Sequence, residues 1–199
     1  MDRPEPPVAV SEFVLGHQPL GRARADLVYG MVAARLTLEV NLRLAVRAAA
    51  LAFNPPKQVQ EPQSENRLDV LAASIATDIE AAIDKCDDDF GFRWLILRGS
   101  DLEELAVSLG VLAEELGRAD QLWGPLFAAF AFTDRSNAPN GRQAFWIFNF
   151  ERGSFYPFVP TTYGDRDTRR EAQFASAVDG ELKLERDREL WFPVWESPV

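Results

Sequence analysis

The sequence predicts an α+β fold, a mostly antiparallel sheet with helices packed on one face, and three patterns carry that expectation. Leu102, Leu105, Leu109, Leu112 and Leu116 recur at spacings of three and four, the period of a half-buried helix. Leu122 to Thr133, Gln143 to Glu151 and Phe155 to Phe158 then read as consecutive strands separated by turn residues, with Asn140-Gly141 closing the first connection. A short helix follows, with Phe174, Val178 and Leu182 on its buried stripe and Thr168 with Glu171 set as a capping box.

The earlier elements are read in the same way. From Leu36 to Val46 apolar residues alternate with Thr37, Glu39, Asn41 and Arg43, which predicts a strand with one wet face, while the alanines from Ala48 to Ala52 favour helix. Asn54 to Asn66 is rich in proline, glutamine and charge and reads as an exposed connection. Leu68, Leu71, Ile75, Ile79 and Ile83 then predict a helix lying on the sheet. After the break at Asp87 to Asp89, Phe90, Phe92, Trp94 and Ile96 alternate with Leu95 and Leu97, the two-sided pattern of an internal strand. Ser100 and Glu103 form a capping box for the leucine helix, and Gly117 is its expected stop. The domain expectation is a flexible tail over residues 1–20 and a single domain over 21–199.

Composition bounds the function. With 47% hydrophobic and 26% charged residues over 199 positions, the chain has the means to bury one core. Its 21 basic and 31 acidic residues leave a charge of −10, which repels nucleic acid and anionic lipid surfaces alike. No apolar run approaches the roughly 20 residues of a membrane-spanning helix. A single cysteine, Cys86, closes no disulfide within the chain and points to a reducing compartment, the cytoplasm. The proline-bearing stretch from Met1 to Val10 has no apolar centre and does not read as a secretory signal.

The chemical inventory is sparse. His17 is the only histidine, so a Ser or Cys nucleophile has one imidazole base to recruit. Asp84, Asp87, Asp88 and Asp89 lack the spacing of a calcium loop and read as a solvated loop. No phosphate-binding glycine pattern occurs, and Gly99-Ser100-Asp101 reads as an ordinary helix start. Cys86 lies among aspartates, whose field opposes thiolate formation. The expectation is a protein with no catalytic residue, no cofactor and no metal. What remains is aromatic: Arg152, Phe155, Tyr156 and Phe158 with Trp191, Phe192 and Trp195 form two aromatic-proline clusters. They read either as a corner packed into the core or as a partly exposed protein-binding patch.

These residues also carry a resemblance. Phe90-Gly-Phe-Arg-Trp-Leu, Gly124-Pro125-Leu126, Arg152-Gly-Ser-Phe-Tyr-Pro-Phe-Val-Pro160 and Trp191-Phe-Pro-Val-Trp195, in that order, resemble the PspA-associated PspAB family over about residues 68–199. The resemblance implies an accessory role in a PspA-type envelope-stress response, in which PspA polymerises on stressed membranes. The implied partners are a PspA-like coiled-coil protein or an HtpX-like membrane protease. An alternative reading, from the order helix, strands, helix alone, is a chaperone-like peptide-binding module similar to secretion chaperones or YbjN-like proteins.

Overall fold

Strands in the middle of this chain carry apolar side chains on both faces, so the fold has to cover a sheet twice. The structure, a computed structural model, describes residues 26–53, 69–70, 72–77, 82–89, 91–119, 125–136, 141–162, 164–195 and 197–199. The expected tail over residues 1–20, His17, Phe90 and the connection over 54–66 lie outside them.

Six strands form one antiparallel sheet in the order β2-β3-β1-β4-β5-β6. They are β1 (Leu44–Phe53), β2 (Ile83–Asp87), β3 (Arg93–Arg98), β4 (Pro125–Asp134), β5 (Arg142–Asn149) and β6 (Ser154–Phe158). On one face Leu51, Phe53, Leu95, Leu97, Phe130 and Trp146 pack beneath the helices α1 (Gly30–Ala33), α2 (Leu102–Ala119) and α3 (Thr168–Ala177). All five leucines of the α2 stripe are buried, and so are Phe174, Val178 and Leu182. The expected α+β layer with helices on one face is therefore what forms.

The opposite face has a different cover. Ala48, Ala50, Ala52, Ala129 and Ala131 make a small-residue floor in β1 and β4, flanked by Trp94 and Ile96 on one side and Phe145, Ile147, Tyr156 and Phe158 on the other. Trp191 and Val199 complete this second cluster, with Val194 and Trp195 packed against it. A short hairpin, β7 (Pro160–Thr162) with β8 (Asp165–Arg166), stands at one end.

Several local expectations are corrected. Leu36 to Asn41 is not strand: Leu42 N–H donates to Thr37 O at 2.9 Å, a five-residue π-type turn over Thr37–Asn41. There Leu38 and Leu42 face the core, while Leu36 and Val40 are 71% and 62% exposed, so two of the six alternating apolar residues do not belong to a buried face. The strand begins at Leu44 and runs through the alanines, because pairing with β3 on one side and β4 on the other outweighs alanine's preference for helix. The helix expected to reach Ile83 is helical at 69–70 and 72–77, with Ile75 buried, but Ile83 already belongs to β2. Asp84, Lys85 and Asp87 are accommodated because β2 ends the row of strands, where charge blunts an edge. Both caps shift by one residue. Asp101 Oδ1 accepts from Glu104 N–H at 3.0 Å in place of Ser100, and Asp167 Oδ1 accepts from Arg170 N–H at 2.9 Å in place of Thr168. Helix α2 passes Gly117 and ends at Ala119.

The helical layer is closed by a tight approach, since a Cβ on Gly110 would sit 2.5 Å from ring atoms of Tyr29. Gly110→Ala is therefore expected to lower stability by about 1–3 kcal/mol in denaturant unfolding. In a Tyr29→Ala background the same change is neutral or stabilising by up to about 1 kcal/mol, the helix propensity of alanine over glycine. Equal losses in both backgrounds would contradict the contact as the cause.

Candidate functional site

Strand β6 pairs with β5 in the register Phe145↔Phe158, Ile147↔Tyr156 and Phe148↔Phe155. Alternation sends Phe155 to the helical side, where its ring lies 4.7 Å from Phe148, and sends Tyr156 and Phe158 to the alanine-floored side. The outer edge of β6 is occupied: Phe155 N–H donates to Lys183 O and Glu185 N–H to Phe155 O, both at 2.8 Å. The chain then turns through Arg188–Leu190 and lies across the second face. Trp191 stacks on Tyr156 at 6.4 Å, and Trp195 meets Phe158 edge-on at 4.9 Å.

This arrangement divides the seven residues singled out from the sequence. Phe155, Tyr156, Phe158 and Trp191 are buried, the placement of the packed corner rather than of the partly exposed patch. Phe155 is interior on the helical face, against Phe148, whereas Tyr156 and Phe158 lie beneath Trp191 and Trp195 on the other face. Phe192 and Trp195 are partly exposed, and exposed Arg152 leans its Nε to 3.5 Å from Glu185 Oε2. The Tyr156 hydroxyl has no hydrogen-bond partner among the described residues, and burial pushes its phenol well above the usual range.

Two ion pairs hold this cover in place. Arg166 Nε donates to Glu171 at 2.8 and 3.0 Å, and its Nη1 donates to Trp191 O at 2.7 Å, tying α3 to the C-terminal segment. Burial nonetheless pushes the Glu171 carboxyl up, against the pull of Arg166 and of the Val159 N–H, which donates to it at 2.9 Å. Arg170 reaches Asp134 through Nε at 2.7 Å and Nη2 at 2.9 Å, locking α3 to the end of β4. Burial opposes the Asp134 charge, but hydrogen bonds from Arg170 and Ser136 outweigh it and hold the carboxyl below its ordinary range.

Between the start of β5, the β7 strand and the C-terminal segment lies a cleft of about 520 Å³. That size suits recognition of a small molecule or a few residues of a peptide. Phe145, Val194, Trp195 and Pro160 give it apolar walls, and Arg142, Gln143, Thr161, Thr162 and Ser197 are its polar lining residues. Gln143 Nε2 donates to Val199 O at 3.0 Å and pins the far wall. Ser197 Oγ is buried with no hydrogen-bond partner among the described residues, and the Arg142 guanidinium lies 3.9 Å from the Asp167 carboxylate. Such a set of groups recognises by stacking, hydrogen bonding and charge. Of the residues singled out beforehand, Trp195 alone lines it. Val194 and Pro160 fall inside the aromatic-proline motifs already quoted, whereas Arg142, Gln143 and Phe145 come from β5, where only the turn signal Asn140-Gly141 stands beside them in the sequence.

The remaining expectations resolve locally. Asp84 and Asp87 belong to β2 and not to a loop, Asp84 accepting from Arg98 at 3.1 Å and Asp87 from Arg93 at 2.6 and 2.9 Å, while Asp88 and Asp89 lie in the turn that follows. Asp88 accepts from Phe92 N–H at 2.9 Å and from Trp94 Nε1 at 2.8 Å. Among the described residues no three His, Cys, Asp or Glu side chains gather to hold a metal ion. The Cys86 thiol is pushed up, first by burial and then by Asp87 and Asp88.

The family model described as PspAB, PspA associated protein B, matches residues 8–199. The match extends the resemblance seen over 68–199 to the front of the chain. No curated protein and no solved structure matches.

The Arg170–Asp134 pair supplies a pH test. A depressed carboxyl contributes stability above its unfolded pKa of about 3.9 and loses it as pH falls through the lower folded value. Asp134→Asn, which leaves Arg170 buried and unpaired, is expected to cost about 3–5 kcal/mol at neutral pH. In denaturant titrations that cost shrinks as pH drops below about 4. A cost independent of pH would contradict the charged pair as its source.

Proposed function

The chain belongs to the PspAB family, PspA associated protein B, and on that premise we propose that it acts by binding a PspA-type protein, as a non-enzymatic, cytoplasmic accessory of an envelope-stress response. The observation that carries this reading is the family match over residues 8–199. The cleft beside Trp195 supports it. Aromatic and apolar walls with a few placed polar groups are what a recognition site requires, and partly exposed tryptophan and arginine are the residue types on which binding energy concentrates. No helix among the described residues is long and apolar enough to cross a membrane. Association with a protein that assembles on membranes would bring this chain to an envelope without a span of its own.

The test is affinity purification of the full chain from its own host under envelope stress, with bound proteins quantified by mass spectrometry against an untagged control. The expected result is specific enrichment of a PspA-type protein. Recovery of an HtpX-like protease without it would overturn the proposed partner, and a stress-independent yield of neither would overturn the accessory role itself.

A further inference from the structure

One end of the sheet is basic in a chain whose overall charge is −10. Leu44, Asp134 and Arg142 form one row across β1, β4 and β5. Arg43 and Arg135 continue from that row and are joined by Arg135 N–H donating to Arg43 O at 3.1 Å. Helix α3 is clamped to the same spot by Arg170 on Asp134, and Arg169 is the residue before it in that helix. Arg43, Arg135 and Arg169 are exposed and form no ion pair with a carboxylate among the described residues, and the Arg142 side chain is 56% exposed with Asp167 3.9 Å away. Of the acids here, Asp134 is engaged by Arg170, and Asp167 caps α3 and lies 3.9 Å from Arg142. Arg43 also holds a left-handed backbone conformation, φ 57°, that non-glycine residues seldom adopt, and its carbonyl is part of the corner.

Arg142 belongs both to this corner and to the cleft walled by Phe145 and Trp195. We infer that the corner and the cleft are one docking surface for an acidic peptide segment carrying an apolar or aromatic anchor. The carboxylates lie on the arginines, and the anchor enters the cleft against Trp195. The inference rests on the protein-binding reading above and names the chemistry of the partner's contact segment. Charge complementarity selects it: a concentration of exposed guanidinium on an otherwise acidic chain steers acidic segments and repels basic ones. The concave shape disfavours a bilayer, whose headgroups cannot follow the cleft inward while the rest of the chain is repelled by anionic lipid. A free phosphate would use the arginines and leave the aromatic wall idle.

The test uses the full chain and a fluorescein-labelled, glutamate-rich peptide with one central tryptophan, read by fluorescence polarisation. Binding is expected at low salt and weakens as salt is raised. It falls by about tenfold or more in Arg142→Ala and in Trp195→Ala, and by less in Arg135→Ala with Arg169→Ala. Arginines this exposed should leave thermal unfolding unchanged, which separates lost contact from lost fold. A lysine-for-glutamate peptide should not bind. No binding of the acidic peptide, equal binding by the arginine variants, or preference for phosphatidylglycerol vesicles or inorganic phosphate would each overturn the inference. Acidic-peptide binding without recovery of a PspA-type protein from the host would sink the proposed partner and leave this surface standing. A PspA-type protein recovered equally with Arg142→Ala would do the reverse.

Discussion

The structure depends on one constraint: β1, β3, β4 and β5 are apolar on both faces, so neither face can be left to water. Burial of apolar surface is the largest favourable term in folding, and an uncovered sheet face of this size would forfeit much of it. Helices cover one face. On the other, the alanine floor of β1 and β4 leaves room for an irregular aromatic segment to lie close, and Trp191 and Val199 fill that room. An irregular cover has backbone groups that no helix satisfies. Arg166 accordingly donates to the carbonyl of Trp191, and the Trp191 indole donates to Glu185 O at 3.1 Å.

That cover also creates the site. Because Tyr156 and Phe158 are buried beneath Trp191 and Trp195, the segment's path is set by ring contacts, and the cleft is the space left where it passes the β7 strand. The interior members of the aromatic-proline clusters thus act as the footing of the exposed one. Trp195 rests on Phe158, and Phe158 stacks at 5.9 Å on Phe145, which itself lines the cleft.

Much of this was legible in the residues. The leucine stripe of α2 and the two-sided pattern of β3 each follow from a single local period, and the structure keeps them. The alternation from Leu36 to Val46 misled because exposed Leu36 and Val40 mimic a strand's buried face, and no local rule distinguishes an apolar residue facing water from one facing a core. The alanines of β1 misled in the opposite sense, since their strand conformation is imposed by neighbours far away in sequence. The cleft was illegible for the same reason. Arg142, Thr161 and Ser197 meet only after the sheet, the small hairpin and the C-terminal segment are assembled.

The claim that the C-terminal segment is a structural cover, and through it the support of the cleft, is tested most directly by hydrogen exchange of Trp191→Ala against the unaltered chain. The account requires faster exchange of the β5 and β6 amides and of residues 192–195, with α2 and the β1–β3 pairing unchanged. Unaltered exchange throughout β5 and β6 would contradict it, because the second face would then be stable without its cover.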